Sequence, residues 1–533
     1  MNNRITTLIL LLFITISLSI SLLPDIFRII STPANTIFPL IHNNASDYFY
    51  YLSLIRQGYD GNLLLTSRMT PEQFHPAFTQ TIFSIMGLVS RLFSLSLPLT
   101  YLLARIVFGL FLLFTIIYCA KILFRKNIYV VSASFLAIFT TGFWIIGENY
   151  TGLPVRQYLI HWTRLDPIIR TTYLPHHLAS TVIGLFSLII LSKSLDQKNI
   201  KMGVLAAILA LLSSFIYFAT MVNILGGLTL VVLLTIRSLT YQNLKDKLPI
   251  VCIYILLSSL PLFYFRSLSL TSFPWSAYDK VGENFNFYLP FLHYLYSSGL
   301  VFPLTLVGLP LIFKTKEFLP KFLLGWALFP FIGLFVVAKI FPQYGNVYYL
   351  EATSHIPFGL LSLYGFIYIK NRFYLHKKVL LLIFILLGLY FIPPTLTSIV
   401  YESGRLKTNY YNFFIPEDIF KGFSWLDGNT PSESIILAGG YFGNVVPAFT
   451  HNRVVYGHRA NTYKPEEKKA ALDIFFNQTD LTQSAKILKK FNVSYIFFSL
   501  DTNNPIPQFE TSLPVIKVYQ NPSVSIYKVT TPQ

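Results

Sequence analysis

Long apolar segments recur through the first 400 residues, and they constrain the fold more than any other feature of this chain. A helix that crosses a bilayer needs about 20 mostly apolar residues. The segments that meet or approach this length are 5–30, 99–123, 128–147, 174–192, 202–219, 220–236, 249–268, 287–313, 321–340, 353–369 and 378–399. The sequence therefore predicts a polytopic α-helical membrane protein with about eleven spanning helices, and it excludes a soluble globular protein.

Most of the net charge of +18 lies in a few short segments of the chain. Five short connections between apolar segments are rich in Lys and Arg, and together with Arg4 they carry 17 basic and three acidic residues. Short basic loops stay in the cytoplasm. This pattern predicts a multi-pass protein of the cytoplasmic membrane, with the N-terminus inside and the tail outside. The charge is a topology signal, and it gives no support to a nucleic-acid partner.

Segment 77–93 is apolar but interrupted by polar residues. Ile82, Ile85 and Val89 recur at helical spacing, which is typical of an amphipathic helix. If this segment crossed the membrane, Arg4 and the five basic connections would lie on opposite sides. We therefore predict that it lies in or re-enters the outer interface.

The composition changes near residue 401. We predict a transmembrane domain over 1–400, with its first outer loop at 31–98, and an extracytoplasmic α/β domain over 401–533, which is large enough for a core of its own. The predicted strands of this tail are 434–438, 453–456, 494–499, 514–519 and 524–529, and the predicted helices are 417–426, 465–477 and 481–491.

Asp47 stands at the start of a helical pattern in the first outer loop. One face of this helix would carry Tyr48, Tyr51, Leu52 and Ile55. Gly58 and Gly61 are expected to end it. An aspartate at this position is also a common helix N-cap, so the local pattern leaves a functional and a capping role open.

Five stretches of the chain carry a family resemblance. They are SDYFYYLSLIRQGYDGNLLLTSRMTPE (46–72), GLVSRLFSLS (87–96), YLLARIVFGL (101–110), YLPHHLAS (173–180) and LAGGYFGNVVPAFTHNRVVYGHRANT (437–462). Together with an acid in the first outer loop, they resemble the GT-C glycosyltransferases, and more closely a group of bacterial GT-C-like membrane proteins. The members of this superfamily are integral membrane enzymes that use polyprenyl-phosphate-linked sugars.

The resemblance implies that Asp47 is the catalytic base of an inverting sugar transfer to an acceptor in the cell envelope. An acceptor hydroxyl must lose its proton as it attacks the sugar, and a positioned carboxylate can take that proton. The implied partners are a lipid-linked sugar donor, membrane lipids and an envelope acceptor. Aromatic side chains, Tyr51 among them, would line the lipid groove.

The leaving phosphate needs positive charge at the outer face, and several residues are candidates. Arg170 is preferred because guanidinium groups clamp phosphates through paired donors. The further candidates are Arg156, Glu148, His176, His177 and His75, which stands where related families carry Lys-Pro or Pro-Pro. Headgroup contact is the alternative for the arginines, and interfacial capping is the alternative for the histidines.

Other polar groups near the outer face are less specific. Glu148 with His176 or His177 could bind a divalent metal, but the spacing is not diagnostic and we predict no metal site. Glu351 and His355 form a possible pair at i, i+4. In the tail, the glycines at 439, 440 and 443 lack a complete phosphate-loop pattern. His458 and Arg459 could face the membrane cavity.

Two other classes of function remain open on the sequence. A transporter or flippase of lipid-linked saccharide would share the membrane domain, although such proteins often contain inverted repeats that are not evident here. A non-catalytic membrane scaffold would retain the same fold.

Overall fold

The computed structural model describes residues 2–147, 155–157, 170–235, 241–277, 290–341, 347–350, 353–404, 413–477, 481–500, 510 and 512–530. The chain divides into two compact units. Unit 1 comprises Met1–Ile26, Ala104–Phe265 and Asp279–Arg405. Unit 2 comprises Phe27–Leu103, Arg266–Tyr278 and Leu406–Gln533.

Helices dominate the described residues. In chain order they are α1 (Asn3–Ile30), α2 (Ala45–Tyr59), α3 (Thr81–Leu92), α4 (Leu97–Leu123), α5 (Asn127–Phe139), α6 (Pro175–Gln197), α7 (Ile200–Ile216), α8 (Phe218–Thr235), α9 (Tyr241–Thr271), α10 (Phe291–Ser297), α11 (Val301–Lys314), α12 (Leu319–Ile332), α13 (Val347–Leu350), α14 (His355–Arg372), α15 (Lys377–Gly404), α16 (Glu417–Asn429), α17 (Gly440–Phe449), α18 (Pro465–Phe476) and α19 (Leu481–Lys490). A π-helical segment, Gly333–Val337, and a last turn, Ala338–Ile340, continue α12.

The strands are short and most of them belong to the tail. They are β1 (Thr36–Ile37), β2 (Trp144–Ile146), β3 (Val155–Gln157), β4 (Ile415–Pro416), β5 (Ile435–Ala438), β6 (Arg453–Val454), β7 (Tyr495–Ser499), β8 (Val515–Gln520) and β9 (Val524–Val529).

Seven helices among the described residues are long and apolar enough to cross a membrane. They are α1, α4, α6, α8, α9, α12 with its continuation, and α15. Helices α10 and α11 form an eighth candidate, bent by 80° at the break between them. The chain is therefore a polytopic α-helical membrane protein.

Three of the eleven predicted spans do not reach that standard in the structure. Residues 128–147 form only the 13-residue α5, because the helix ends before Thr140. Helix α7 has 17 residues. Helix α14 has 18 residues, is buried throughout its first twelve, and is not among the candidate spans. The predicted count of eleven is not reproduced by length and apolar content, whereas the polytopic helical class is confirmed.

Segment 77–93 forms helix α3, which is too short to span. Its twelve residues rise about 18 Å, whereas the hydrocarbon core is about 30 Å thick. One face of α3 packs on α2, and Ile85 and Leu92 on the other face are exposed. The amphipathic helix is confirmed, and its place in the outer interface stays a prediction.

The tail contains a five-stranded mixed sheet in the order β6-β5-β7-β9-β8. Strands β6, β5 and β7 are parallel, and β9 runs antiparallel to both β7 and β8. Ile496 and Phe498 of the central strand pack with Phe475 of α18 in a buried core. All five predicted strands and all three predicted helices of the tail are confirmed.

Three separate chain segments build unit 2. Strand β1, from segment 31–98, pairs antiparallel with β4 of the tail. The backbone amide of Val454 donates to the carbonyl of Arg68 at 3.1 Å. The boundary that the sequence placed at residue 400 lies near the start of the last segment. Residues 27–103 belong to the same unit as the tail.

Candidate active site

Asp47 lies in the first turn of α2, in unit 2. The side-chain oxygen of Asn44 accepts a hydrogen bond from the backbone amide of Ser46 at 2.9 Å. A side-chain oxygen that satisfies an early helical N–H defines an N-cap. The capping role belongs to Asn44, and the capping alternative for Asp47 is therefore wrong. The side chain of Asp47 is 40% exposed.

The carboxylate of Asp47 contacts a histidine from the tail. The Nε2 atom of His458 lies 2.9 Å from Oδ1 of Asp47, and the side chain of His458 is only 15% exposed. On the other side of the imidazole ring, the side-chain amide of Asn461 donates to Nδ1 at 2.9 Å. Three side chains, Asn461, His458 and Asp47, therefore form a linked series in unit 2.

Backbone contacts hold the loop that carries His458. The hydroxyl of Ser67 donates to the carbonyl of Asn461 at 2.7 Å, and the hydroxyl of Thr462 donates to the carbonyl of Met69 at 2.8 Å. The backbone amide of Gly457 donates to the same Thr462 hydroxyl at 3.1 Å. The first two bonds join the loop to the 66–72 segment, the third lies within the loop, and none of them uses the imidazole ring.

Helix α2 is fixed by close packing on α3 and α17. Gly58 lies inside the helix, and a Cβ atom there would be 2.3 Å from the backbone oxygen of Ser84. Its expected role as a helix terminator is wrong, because α2 continues to Tyr59 and only Gly61, with φ of +98°, stands beyond the end. The amide of Asn444 on α17 donates to the carbonyl of Ser46 at 2.9 Å.

Tyr51, predicted to line a lipid groove, is half-buried in the aromatic packing of α2. Its ring stacks on that of Phe83, with centroids 4.9 Å apart, and lies parallel to Tyr101 at 6.5 Å. Of the four residues predicted to share a face, Tyr48, Leu52 and Ile55 are fully buried. Packing accounts for these contacts, and the lipid-binding role of Tyr51 stays a prediction.

An ion-pair chain follows the far end of α2. Arg56 pairs with Asp60 at 2.9 Å and with Asp427 of α16 at 2.9 Å. Arg68 pairs with Asp60 at 3.0 Å and with Glu433 at 2.9 Å. Each of these arginines contacts one carboxylate of segment 31–98 and one of the tail, so ion pairs join the two segments.

Lys468 makes a second connection of this kind. Its buried ammonium donates to Glu72 at 2.8 Å and to the hydroxyl of Thr70 at 2.8 Å. Burial lowers the pKa of Lys468, and the neighbouring carboxylate of Glu72 opposes that shift. This buried lysine therefore links the 46–72 stretch to the tail within unit 2.

His75 lies apart from Asp47. It is exposed and lines an open polar cleft of about 1080 Å³, together with Gln57 and Arg68. Gln57 lies ten residues after Asp47, a rise of about 15 Å along α2, and Asp47 is not among the residues that line the cleft. The structure does not bring His75 to the acid.

Arg170 and two histidines meet in unit 1. Arg170, His177 and His355 line one cavity of about 30 Å³, whose other walls are mostly apolar. All three residues are buried, with 5%, 6% and 7% exposed. His176 is not in this lining, as the 100° rotation between adjacent helical residues predicts. Its ring packs edge-on against that of His177, with centroids 4.5 Å apart.

The turn next to Arg170 is held by a buried polar cluster in unit 1. The hydroxyls of Thr171 and Thr172 lie 2.7 Å from those of Ser17 and Ser21 on α1. The Nε atom of Arg105 on α4 donates to the carbonyl of Thr172 at 2.7 Å, and the guanidinium pairs with Asp25 at 3.0 Å. This pair is not among the predicted site residues, although ionisable residues in two membrane helices are a recognisable signal.

Some predicted residues cannot be placed. Glu148 and Glu351 lie outside the described residues, and of Arg156 only the backbone is described, in β3 opposite Ile145.

The other candidates of the tail lie in ordinary structural contacts. Arg459 forms a largely exposed ion pair with Glu466 at 2.7 Å. The glycine-rich stretch after β5 is the start of helix α17, with Gly439 as its cap.

A metal site is not evident among the described side chains. Within those residues, no three His, Cys, Asp or Glu side chains converge as a metal site requires. The nearest arrangement that concerns Asp47 supplies one carboxylate and one imidazole. The absence of a metal site stays a prediction.

Comparisons with known proteins find similarity in structure alone. No protein-family model matches the chain, and no curated protein matches its sequence. The oligosaccharyltransferase of Archaeoglobus fulgidus matches 92% of this chain and 69% of its own, at 13% identity and a TM-score of 0.50. ArnT from Cupriavidus metallidurans, bound to undecaprenyl phosphate, matches 98% of this chain and 99% of its own, at 12% identity and a TM-score of 0.50.

A third match covers the whole chain. The arabinofuranosyltransferase AftD from Mycobacteria matches 100% of this chain at 13% identity, with a TM-score of 0.56. This chain spans only 42% of the length of AftD. The three matches define the class: this is an integral membrane protein with the GT-C glycosyltransferase fold, as the sequence resemblance implies. At these identities the likeness is one of fold.

Proposed function

We propose that this protein is a membrane glycosyltransferase. It moves a sugar from a polyprenyl-phosphate-linked donor to an acceptor outside the cytoplasmic membrane, with inversion at the sugar carbon. The observation that carries the proposal is the Asp47 carboxylate. It is partly exposed, held by a tail histidine, and lies in segment 31–98, which the charge pattern predicts to be the first outer loop.

Asp47 acts as the general base in this proposal. It takes the proton of the acceptor hydroxyl while the acceptor oxygen attacks the sugar carbon, a contribution typically worth about 10²–10⁴-fold in rate. The bond from that carbon to the phosphate oxygen breaks, and the lipid phosphate leaves with the electron pair. A single displacement of this kind inverts the configuration.

Arg170, with His177 and His355, is proposed to hold the phosphate of the lipid carrier. The guanidinium group offers paired donors to an oxyanion, and imidazole N–H groups add further donors. The support for this role is the cavity in unit 1 that the three residues share. Charge held on the leaving phosphate stabilises the transition state.

The charge pattern supports a topology for this reaction. The N-terminus would lie in the cytoplasm, and unit 2 would lie on the outer side, where the acceptor is. The acceptor is an envelope component, and the donor is a lipid-linked sugar.

The test is Asp47→Asn in full-length protein, assayed for transfer of labelled sugar from polyprenyl-phosphate donors to envelope acceptors. The amide keeps an oxygen for His458 but is not a base. We expect kcat to fall by about 10²–10⁴-fold. Asp473→Asn, at an exposed position of α18, is the matched control and should retain wild-type activity.

Transfer by the Asp47→Asn protein within threefold of wild type would refute the assignment. A transporter or scaffold would then account better for the fold.

A further inference from the structure

We propose that His458 is a positioning residue for Asp47, so that the tail completes the catalytic centre. This inference rests on the proposed role of Asp47 as the base. Its basis is the series of two hydrogen bonds, each of 2.9 Å, that runs from Asn461 through His458 to Asp47.

The hydrogen bond from Asn461 determines the tautomer of the His458 ring. A neutral imidazole has one N–H donor and one acceptor nitrogen. The amide of Asn461 donates to Nδ1, so Nδ1 is the acceptor. The proton therefore stands on Nε2, which donates to Oδ1 of Asp47. Asn461 is thereby linked to Asp47 through this ring.

The hydrogen bond from His458 orients the carboxylate of Asp47. A donor on Oδ1 fixes the rotation of the Asp47 side chain and leaves Oδ2 for the acceptor hydroxyl. In the reaction, the proton of that hydroxyl passes to Oδ2, the acceptor oxygen bonds to the sugar carbon, and the carbon–phosphate oxygen bond breaks. His458 neither gains nor loses a proton.

The imidazole ring of His458 is not needed to hold its own loop. Ser67 and Thr462 join that loop to the 66–72 segment through backbone carbonyls. The close approach of Gly457 to Met69, where a Cβ atom would be 2.6 Å from the sulfur, adds packing independent of the ring. A change at His458 should therefore leave the fold in place and misplace only the carboxylate.

The experiment compares His458→Ala and His458→Gln in the full-length protein. A misplaced catalytic group can cost about 10²-fold in rate. We expect His458→Ala to lower kcat by about 10–100-fold, with KM for the lipid-linked donor unchanged. Glutamine carries an N–H donor on a side chain of similar reach, so His458→Gln should recover at least tenfold of the loss.

A double variant separates positioning from a general structural role. If His458 acts through Asp47, its removal has no further target once the carboxylate is gone. The protein with both Asp47→Asn and His458→Ala should then be no more than about threefold slower than Asp47→Asn alone, because residues that act as one unit are not additive.

His451 supplies the matched control. It is also a tail histidine beside a carboxylate, with Nδ1 3.1 Å from Asp427, and it is 19% exposed. His451→Ala should retain wild-type kcat at a similar thermal unfolding midpoint.

Three results would overturn the inference. They are wild-type kcat in His458→Ala, equal losses in the Ala and Gln variants, or a double variant whose losses multiply. If Asp47→Asn alone keeps wild-type activity, the proposed function fails instead.

Discussion

At the scale of single residues, neighbouring side chains take different roles because each meets a different environment. Asn44 satisfies the helix N-terminus, which leaves Asp47 free of that task. His176 and His177 are adjacent, yet only His177 faces the cavity with Arg170. Helical rotation separates their directions. Residue identity alone does not distinguish such neighbours.

The guanidinium group of Arg170 is expected to contribute to binding of the lipid-linked donor. Arg170→Ala should raise KM for the lipid-linked donor by about 10–100-fold, since a hydrogen bond to a charged group is worth about 1.5–3 kcal/mol. Arg170→Lys should recover only part of this, because an ammonium lacks the planar fork of donors. Donor titrations at saturating acceptor measure both effects. An unchanged KM in Arg170→Ala would remove the residue from the phosphate site.

At the scale of elements, α2 is positioned by a close crossing with α3. Gly58 and Gly87 lie at this crossing, and a Cβ atom on Gly87 would be 2.1 Å from the backbone oxygen of Ile55. Backbone atoms cannot yield as the end of a flexible side chain can. The register of α2, and with it the place of Asp47, depends on these two glycines.

Gly87→Ala should therefore destabilise the protein by about 1–3 kcal/mol, as overpacking in a close-packed interior does. Gly428, also helical, is the control, because a Cβ atom there meets nothing within 4 Å. Gly428→Ala should be neutral or slightly stabilising. Thermal unfolding of the two purified variants measures the difference. Equal midpoints would show that α3 can move away at little cost.

At the scale of the whole molecule, the positions of the charges predict the membrane topology. The prediction is that a reporter fused after residue 95 is extracytoplasmic and one fused after residue 125 is cytoplasmic. Helix α3 is too short to reverse this order, and α4 lies between the two fusion sites. Alkaline phosphatase and green fluorescent protein fusions distinguish the two sides. A cytoplasmic reporter after residue 95 would contradict the topology.

Much of the fold could be predicted from periodicity. Long apolar segments predict membrane helices. In the tail, β-rich segments alternate with helical patterns, and this alternation predicts an α/β domain. The count of spans was less accurate. Helix α5 ends at Phe139, where Thr140 takes an extended backbone conformation. Helix α14 is buried over its first twelve residues, and hydropathy records neither feature.

The sequence by itself determined the class of protein, the placement of charge, the elements of the tail and the candidate acid, because these depend on local composition and spacing. Only the tertiary structure decided the partners: His458 for Asp47, 411 residues away, and Asp25 for Arg105. The same holds for the cavity that joins Arg170, His177 and His355. Contacts between distant residues depend on how helices and strands pack, and no local pattern in the chain encodes which side chains will meet.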